Sequence, residues 1–216
     1  MNWTWLKANA GEIAGWFAIH AVLAAVPLVI GLAIALPLGW LANRNRIVYP
    51  PMLTFSGLLY TIPSLALFVL LPGILGTQIL DPINVVAALS VYTVALLVRV
   101  VADGLASVPP DVVQAARAMG YGEFGLLVRV QLPVAVPVIA AGMRVAAVTN
   151  VSLVSVAAVI GVPELGQLFT EGFQLYFYTP IIAGIVLCVV LAMIFDATVV
   201  GIARWLTPWR RAGRSA

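Results

Sequence analysis

The chain has 216 residues, of which 63% are hydrophobic and only 9% charged, with a mean hydropathy of +1.10. Soluble domains carry roughly a quarter of their residues as charges, so this composition excludes a soluble enzyme or binding module and reads as an integral membrane protein. The formal net charge of +3 is then a question of where eleven basic residues sit rather than a nucleic-acid signature, and the lone Cys188 leaves no intrachain disulfide or thiolate metal site.

A bilayer core of about 30 Å takes roughly 20 apolar residues of helix. Uncharged stretches of that length predict spans near 19–41, 53–71, 82–101, 136–160 and 180–206. Pro72-Gly73 ends the second, Arg99 lies near the end of the third, Arg144 near the start of the fourth, and Asp196 within the fifth. The first apolar run is too long for a signal-peptide core and has no strongly basic segment before it, so it reads as a retained helix. The expected fold is all-α with five transmembrane helices. Residues 1–16 form an interfacial N-terminal segment, 17–206 the transmembrane domain and 207–216 a basic tail.

Short loops rich in Lys and Arg tend to stay in the cytoplasm. Arg44 and Arg46 follow the first span, Arg117 and Arg129 lie between the third and fourth, and Arg204, Arg210, Arg211 and Arg214 crowd the C-terminus. Residues 72–81 and 161–179 hold no Lys or Arg but do hold Asp81, Glu164 and Glu171. The N-terminus is therefore expected outside and the C-terminus inside. All six tryptophans, at 3, 5, 16, 40, 205 and 209, fall at or beyond span ends, where indole favours the headgroup layer.

Between the third and fourth spans lies one semi-polar cytoplasmic passage. Pro109-Pro110-Asp111 stops one helix and suits the first turn of another, and Val112, Val113, Ala116 and Met119 recur at helical spacing. Gly120 suits a left-handed cap, Gly122 and Glu123 allow a second short helix to Leu132, and Pro133 and Pro137 mark the return to the membrane. One reading of the pattern alone is an amphipathic hairpin resting on the bilayer surface.

Its spacing carries more. Gln114-Ala115-Ala116, three residues, Gly120, nine residues, then Val130-Gln131-Leu132-Pro133 resembles the EAA loop of ABC importer permeases, with Gln114 for the usual Glu and Val130 for Ile. Thr61-Ile62-Pro63-Ser64-Leu65-Ala66-Leu67, and 157–161 followed by Pro163-Glu164-Leu165-Gly166, resemble the permeases of osmoprotectant importers for glycine betaine, carnitine and choline. The resemblance implies a coupling helix that docks on a separate ATP-binding subunit, with Val113, Gln114, Ala115, Ala116, Arg117, Met119, Gly120, Glu123, Val130, Leu132 and Pro133 as its residues. Ala115 and Ala116 would let the helix seat deeply, Val113 and Met119 would make apolar contacts, and Arg117 and Glu123 would pair at the rim.

The resemblance further implies a second permease subunit, the same or a related chain, and an extracytoplasmic solute-binding protein, in a bacterial or archaeal cell (inner) membrane. The chain has no G-x-x-x-x-G-K-[ST] phosphate loop, so it is expected to bind no cofactor, with ATP and Mg on the partner ATPase. No catalytic or metal-binding arrangement is expected, and no nucleic-acid partner. Permeases for methionine or another small organic solute share the five-span core, and a non-transporting scaffold with an amphipathic loop is the reading from another class.

Inside the spans, Tyr60, Tyr92, Phe55 and Phe68 are candidates for aromatics that hold a cationic solute. Asn150, Ser152 and Ser155 give the fourth span a polar stripe, a candidate pathway wall whose alternative is interhelical hydrogen bonding. Arg144 is expected to snorkel to the cytoplasmic interface, Asp196 to find a helix-packing partner because an unpaired charge in lipid is costly, and His20 to be interfacial.

Overall fold

The computed structural model describes residues 1–45 and 47–209; Arg46 and the basic tail residues Arg210, Arg211 and Arg214 lie outside them. Every element among the described residues is helical: α1 (Trp3–Ala8), α2 (Ala10–Arg44), α3 (Tyr49–Thr61), α4 (Ser64–Leu75), α5 (Pro82–Ala106), α6 (Pro110–Ala118), α7 (Glu123–Leu126), α8 (Leu132–Val154), α9 (Gln167–Gln174) and α10 (Tyr178–Leu206). A π-helical turn, Leu127–Gln131, joins α7 to α8, and a 3-10 turn, Ser155–Ile160, follows α8. Within these residues α2, α5, the run Glu123–Ile160 and α10 are long and apolar enough to cross a membrane, and α3 with α4 makes a fifth span if the bent pair counts as one.

That bent pair corrects the expected second span. In place of one helix over 53–71, α3 and α4 meet at 100°. Proline has no N–H and disfavours helical geometry in the residue before it, and both Ile62 (ψ 130°) and Pro63 (ψ 132°) are extended. Pro72-Gly73 does not end the helix either; it continues to Leu75 and closes on Gly76.

The first span is also longer than expected. With 35 residues, α2 extends about 50 Å at 1.5 Å per residue, well beyond the hydrocarbon layer. Its small residues Ala24, Gly31, Ala35, Gly39 and Ala42 are all buried. A Cβ at Gly31 would overlap the side chain of Thr93 on α5. Within a bilayer, where lipid tails are as apolar as leucine, such close packing of small residues is what holds helices together.

The short helix expected to end at Leu132 does not stop there. The chain runs on from Glu123 through the π turn into α8, with the Leu132 N–H bonded to the Leu127 carbonyl, five residues back. The wider turn lets Pro133 enter without the steric conflict a proline has with the carbonyl four residues earlier in an α-helix.

Two buried clusters fill the bundle. One gathers Leu23, Phe68, Leu89, Val154, Leu165 and Leu168, and the other Leu28, Leu97, Val101, Leu105, Ala135 and Ile139.

Candidate coupling site and membrane path

The polar passage forms a hairpin at the end of the bundle where α2 and α5 finish. Pro110 and Asp111 occupy the first turn of α6, where a missing N–H costs nothing and a carboxylate meets the positive end of the helix dipole. The helix closes in a Schellman arrangement, with Gly120 N–H bonded to the Arg117 carbonyl (3.0 Å) and Tyr121 N–H to the Ala116 carbonyl (3.2 Å). Gly120 sits at φ +88°, a conformation that strains any residue with a Cβ.

Side chains on the hairpin divide between two faces. Ala116 is buried against the chain itself, and Val113, Val130, Leu132 and Pro133 are half-buried. Gln114, Ala115 and Arg117 are exposed, and Met119 is 72% exposed. Phe124, which sequence reasoning passed over, is 74% exposed. Met119 and Phe124 are the two most exposed large apolar side chains of the hairpin. A Phe three residues beyond a turn, in a segment otherwise rich in Gly and charge, was the available signal.

Glu123 ties the hairpin together and to the bundle. It lies 3.2 Å from Arg117 on α6 and 3.8 Å from Arg44 at the end of α2. In a separate group, the Tyr49 hydroxyl at the start of α3 donates to Asp103 on α5 at 2.7 Å, and Asp103 lies 3.6 Å from Arg99. The expected Arg117–Glu123 pair therefore forms within the chain, and Arg44 extends it beyond what the motif suggested.

The pathway candidates are placed differently from one another. Tyr92 is buried, and its hydroxyl donates to the Ile62 carbonyl left free by the break between α3 and α4. Tyr60 is exposed and packs edge-on against Tyr92, with ring centroids 5.7 Å apart. Phe68 is wholly buried and Phe55 exposed. Asn150 is buried and donates to Thr93 on α5 (3.1 Å) and to the Ala24 carbonyl on α2 (3.3 Å), the interhelical bonding set against the stripe. Ser152 is exposed, and the half-buried Ser155 returns its hydroxyl to the Ser152 carbonyl at 2.7 Å.

The titratable residues singled out within the spans, Arg144, Asp196 and His20, find partners inside the chain. Arg144 on α8 and Asp196 on α10 form a two-point pair at 2.5 and 3.0 Å, so the helix-packing partner expected for Asp196 is Arg144. His20 is not interfacial: it is fully buried, 2.7 Å from Glu164 and 2.9 Å from the Val151 carbonyl. Sequence position near a span end hid this, because the 161–166 turn folds in over α2 and carries its acid with it. On α9, burial and then the charge of Glu12 push the Glu171 carboxyl above the usual range.

Residues 28–212 match the family described as binding-protein-dependent transport system inner membrane component. The chain is 35% identical over 191 residues to the osmoprotectant import permease protein OsmW of Salmonella typhimurium strain LT2, covering 87% of this chain and 88% of that protein. It is 27% identical over 205 residues to the glycine betaine/carnitine/choline transport system permease protein OpuCB of Bacillus subtilis strain 168, covering 95% and 93%. Among solved structures, an inward-facing form of the MetNI methionine ABC transporter contains a chain that superposes with a TM-score of 0.83 at 22% identity, over 93% of this chain and 99% of that one. At that identity the likeness is one of fold.

Proposed function

The chain belongs to the family of binding-protein-dependent transport system inner membrane components, and from that premise we propose that it translocates quaternary-ammonium osmoprotectants of the glycine betaine, choline and carnitine class. It is the membrane-spanning permease subunit of an ATP-driven ABC importer, a transport subunit whose energy comes from hydrolysis on a separate protein. Family membership implies an ATPase, a second permease subunit and a solute-binding protein. The observation that carries the substrate class is the 35% identity to an osmoprotectant permease over most of both chains.

In this reading the α6–α7 hairpin is the coupling element, with the N-terminus outside and the hairpin in the cytoplasm. Met119 and Phe124 are its apolar anchors for the ATPase, since exposed large side chains at a polar surface supply most of the energy of docking. Gln114 and Ala115 line the contact face, while Ala116, Val130, Leu132 and Pro133 brace the hairpin from behind. Glu123 links motion of α6 to α2 through Arg117 and Arg44. The loss of the acid at position 114 removes a charge and keeps a hydrogen-bonding side chain of the same length.

ATP-driven closure of the partner subunits then swings the spans between inward- and outward-facing states. Tyr60, Ser152 and Ser155 are the proposed path-lining side chains, with Tyr60 offering an aromatic face to a passing cation. Tyr92 and Asn150 hold the wall from within.

Uptake of labelled glycine betaine, choline, carnitine and methionine, in cells with and without this chain, tests the substrate. Uptake of one or more quaternary amines should depend on the chain; dependence of methionine uptake alone would overturn the assignment. Gly120→Val, which forces a Cβ into the left-handed conformation, is expected to abolish uptake and weaken recovery of the ATPase from detergent while membrane insertion stays normal. Normal uptake and normal recovery of the ATPase would remove the hairpin from the mechanism.

A further inference from the structure

His20 and Glu164 are the two most deeply buried titratable side chains among the described residues, both at 0% exposure, and the coupling mechanism does not use them. Three elements converge on them. His20 comes from the N-terminal third of α2, the Val151 carbonyl from α8, and Glu164 from the turn after the 3-10 segment.

Their hydrogen bonds count the protons. A carbonyl oxygen only accepts, so Nε2 carries a hydrogen toward Val151 at 2.9 Å. The 2.7 Å contact between Nδ1 and Oε2 then needs one more proton, on nitrogen or on oxygen. Either placement, imidazolium with carboxylate or imidazole with carboxylic acid, leaves the pair neutral overall. Without that proton two lone pairs would face each other and a bare carboxylate would lie buried, an arrangement far costlier than a matched pair.

The surroundings are shaped to this pair. Oε2 also accepts the Gly166 N–H at 2.7 Å. A Cβ at Gly166 would overlap the Ser155 carbonyl and Glu164 Oε1, so glycine is required there by space and not by its unstrained φ of −62°. Oε1 has no partner, and the carboxylate is therefore held from one side only, by His20 and the turn's own backbone.

We propose that His20 and Glu164 are positioning residues whose shared-proton pair pins the 155–166 turn to α2 and α8 throughout the transport cycle, so that these parts move as one rigid body. The proposal rests on the permease reading above. The pair fixes the outer end of α8, and with it Ser152 and Ser155, against the helix that Glu123 reaches through Arg44 at the other end. Displacement of the hairpin then arrives at the far end of α2 as movement of the whole unit instead of being lost in a yielding turn.

The test uses the buried Val162 in that turn, changed to cysteine in a Cys188→Ala background, in the complete transporter reconstituted in nanodiscs with its ATPase and binding protein. A water-soluble maleimide is the probe, applied at rest and during ATP turnover. With the pair intact the introduced thiol should stay unreactive in both states. His20→Ala should speed labelling about tenfold or more, because local opening costs less once the buried partner is gone, and should lower the solute moved per ATP hydrolysed. Glu164→Gln is neutral and can donate its amide N–H to the imidazole Nδ1 while giving up the bond from the Gly166 N–H, and should leave labelling several-fold slower than in His20→Ala.

Labelling during turnover with the pair intact would overturn the proposal, as would a His20→Ala rate equal to that of the intact pair. If His20→Ala does not assemble, the rest-against-turnover comparison in the intact and Glu164→Gln backgrounds decides alone. Failure to take up quaternary amines would sink the substrate assignment without touching the thiol readout.

Discussion

Glu123 and Glu164 are both carboxylates held by a basic partner, and they sit at opposite ends of the same helix bundle under opposite rules. Glu123 is almost half exposed and is shared between two arginines at 3.2 and 3.8 Å. Glu164 is wholly buried with one histidine at 2.7 Å. Exposed ion pairs contribute little to stability and reform readily, which suits the role proposed for the hairpin, that of meeting another protein and moving with it. A buried pair resists separation, because each partner would be left as an unmatched group in a dry site. Under the two proposals, one end of the bundle is rearranged by a partner and the other keeps its shape.

The sharpest way to break this contrast is at Gly166. Gly166→Val puts side-chain atoms where the Ser155 carbonyl and Glu164 Oε1 already are. Overpacking a tight interior costs about 1–3 kcal/mol, and here the displaced group is also half of a buried pair. The variant should lower the thermal stability of the purified complex more than a substitution at Asp196 or Glu123 does. A melting temperature within a degree or so of the parent, measured on a complex of this size, would mean that the turn yields easily and that its end of the bundle is no more rigid than the hairpin's.

An intermediate effect is expected from the pair that lies between the two ends. Arg144 and Asp196 join α8 to α10 and are half-exposed in the single chain. Asp196→Asn removes the charge while keeping the shape, and should lower uptake more than it lowers the amount of assembled complex. Arg144→Ala combined with Asp196→Ala should recover part of the loss, since neither charge is then left alone in the membrane. A double variant as poor as the sum of the two singles would show that the residues act separately.

The contrast also marks what could be read from residues alone. The all-helical class, the apolar spans and the hairpin with its Gly120 turn were legible because each rests on a local property: run length, helical spacing or the φ of one glycine. The break at Ile62–Pro63 was visible as a proline, yet whether a membrane helix kinks gently or folds by 100° depends on what donates to the freed carbonyl, and that is the Tyr92 hydroxyl, thirty residues away. The His20–Glu164 pair was illegible for the same reason, with 144 residues separating its partners. At the coupling end the motif named Arg117 and Glu123, which are six residues apart and pair with each other. Arg44, which completes their network, comes from a different helix and carries no motif.

Glu123→Ala should produce the smallest change in stability and the most selective change in function. Losing two exposed ion pairs costs less than about 1 kcal/mol in total and less still at high salt, so melting of the complex should barely move. The hairpin, however, loses its charged links to both α6 and α2. If those links transmit motion, ATP hydrolysis by the assembled variant should continue while solute delivered per ATP falls several-fold, and raising the salt concentration should drive the parent protein part of the way toward the same behaviour. A parent whose coupling ratio is indifferent to salt, together with a Glu123→Ala variant that couples normally, would show that the exposed network only decorates the hairpin. The force would then have to pass through the buried Ala116 and the apolar contacts behind it. That outcome would make the hairpin's end, too, a region that works by packing.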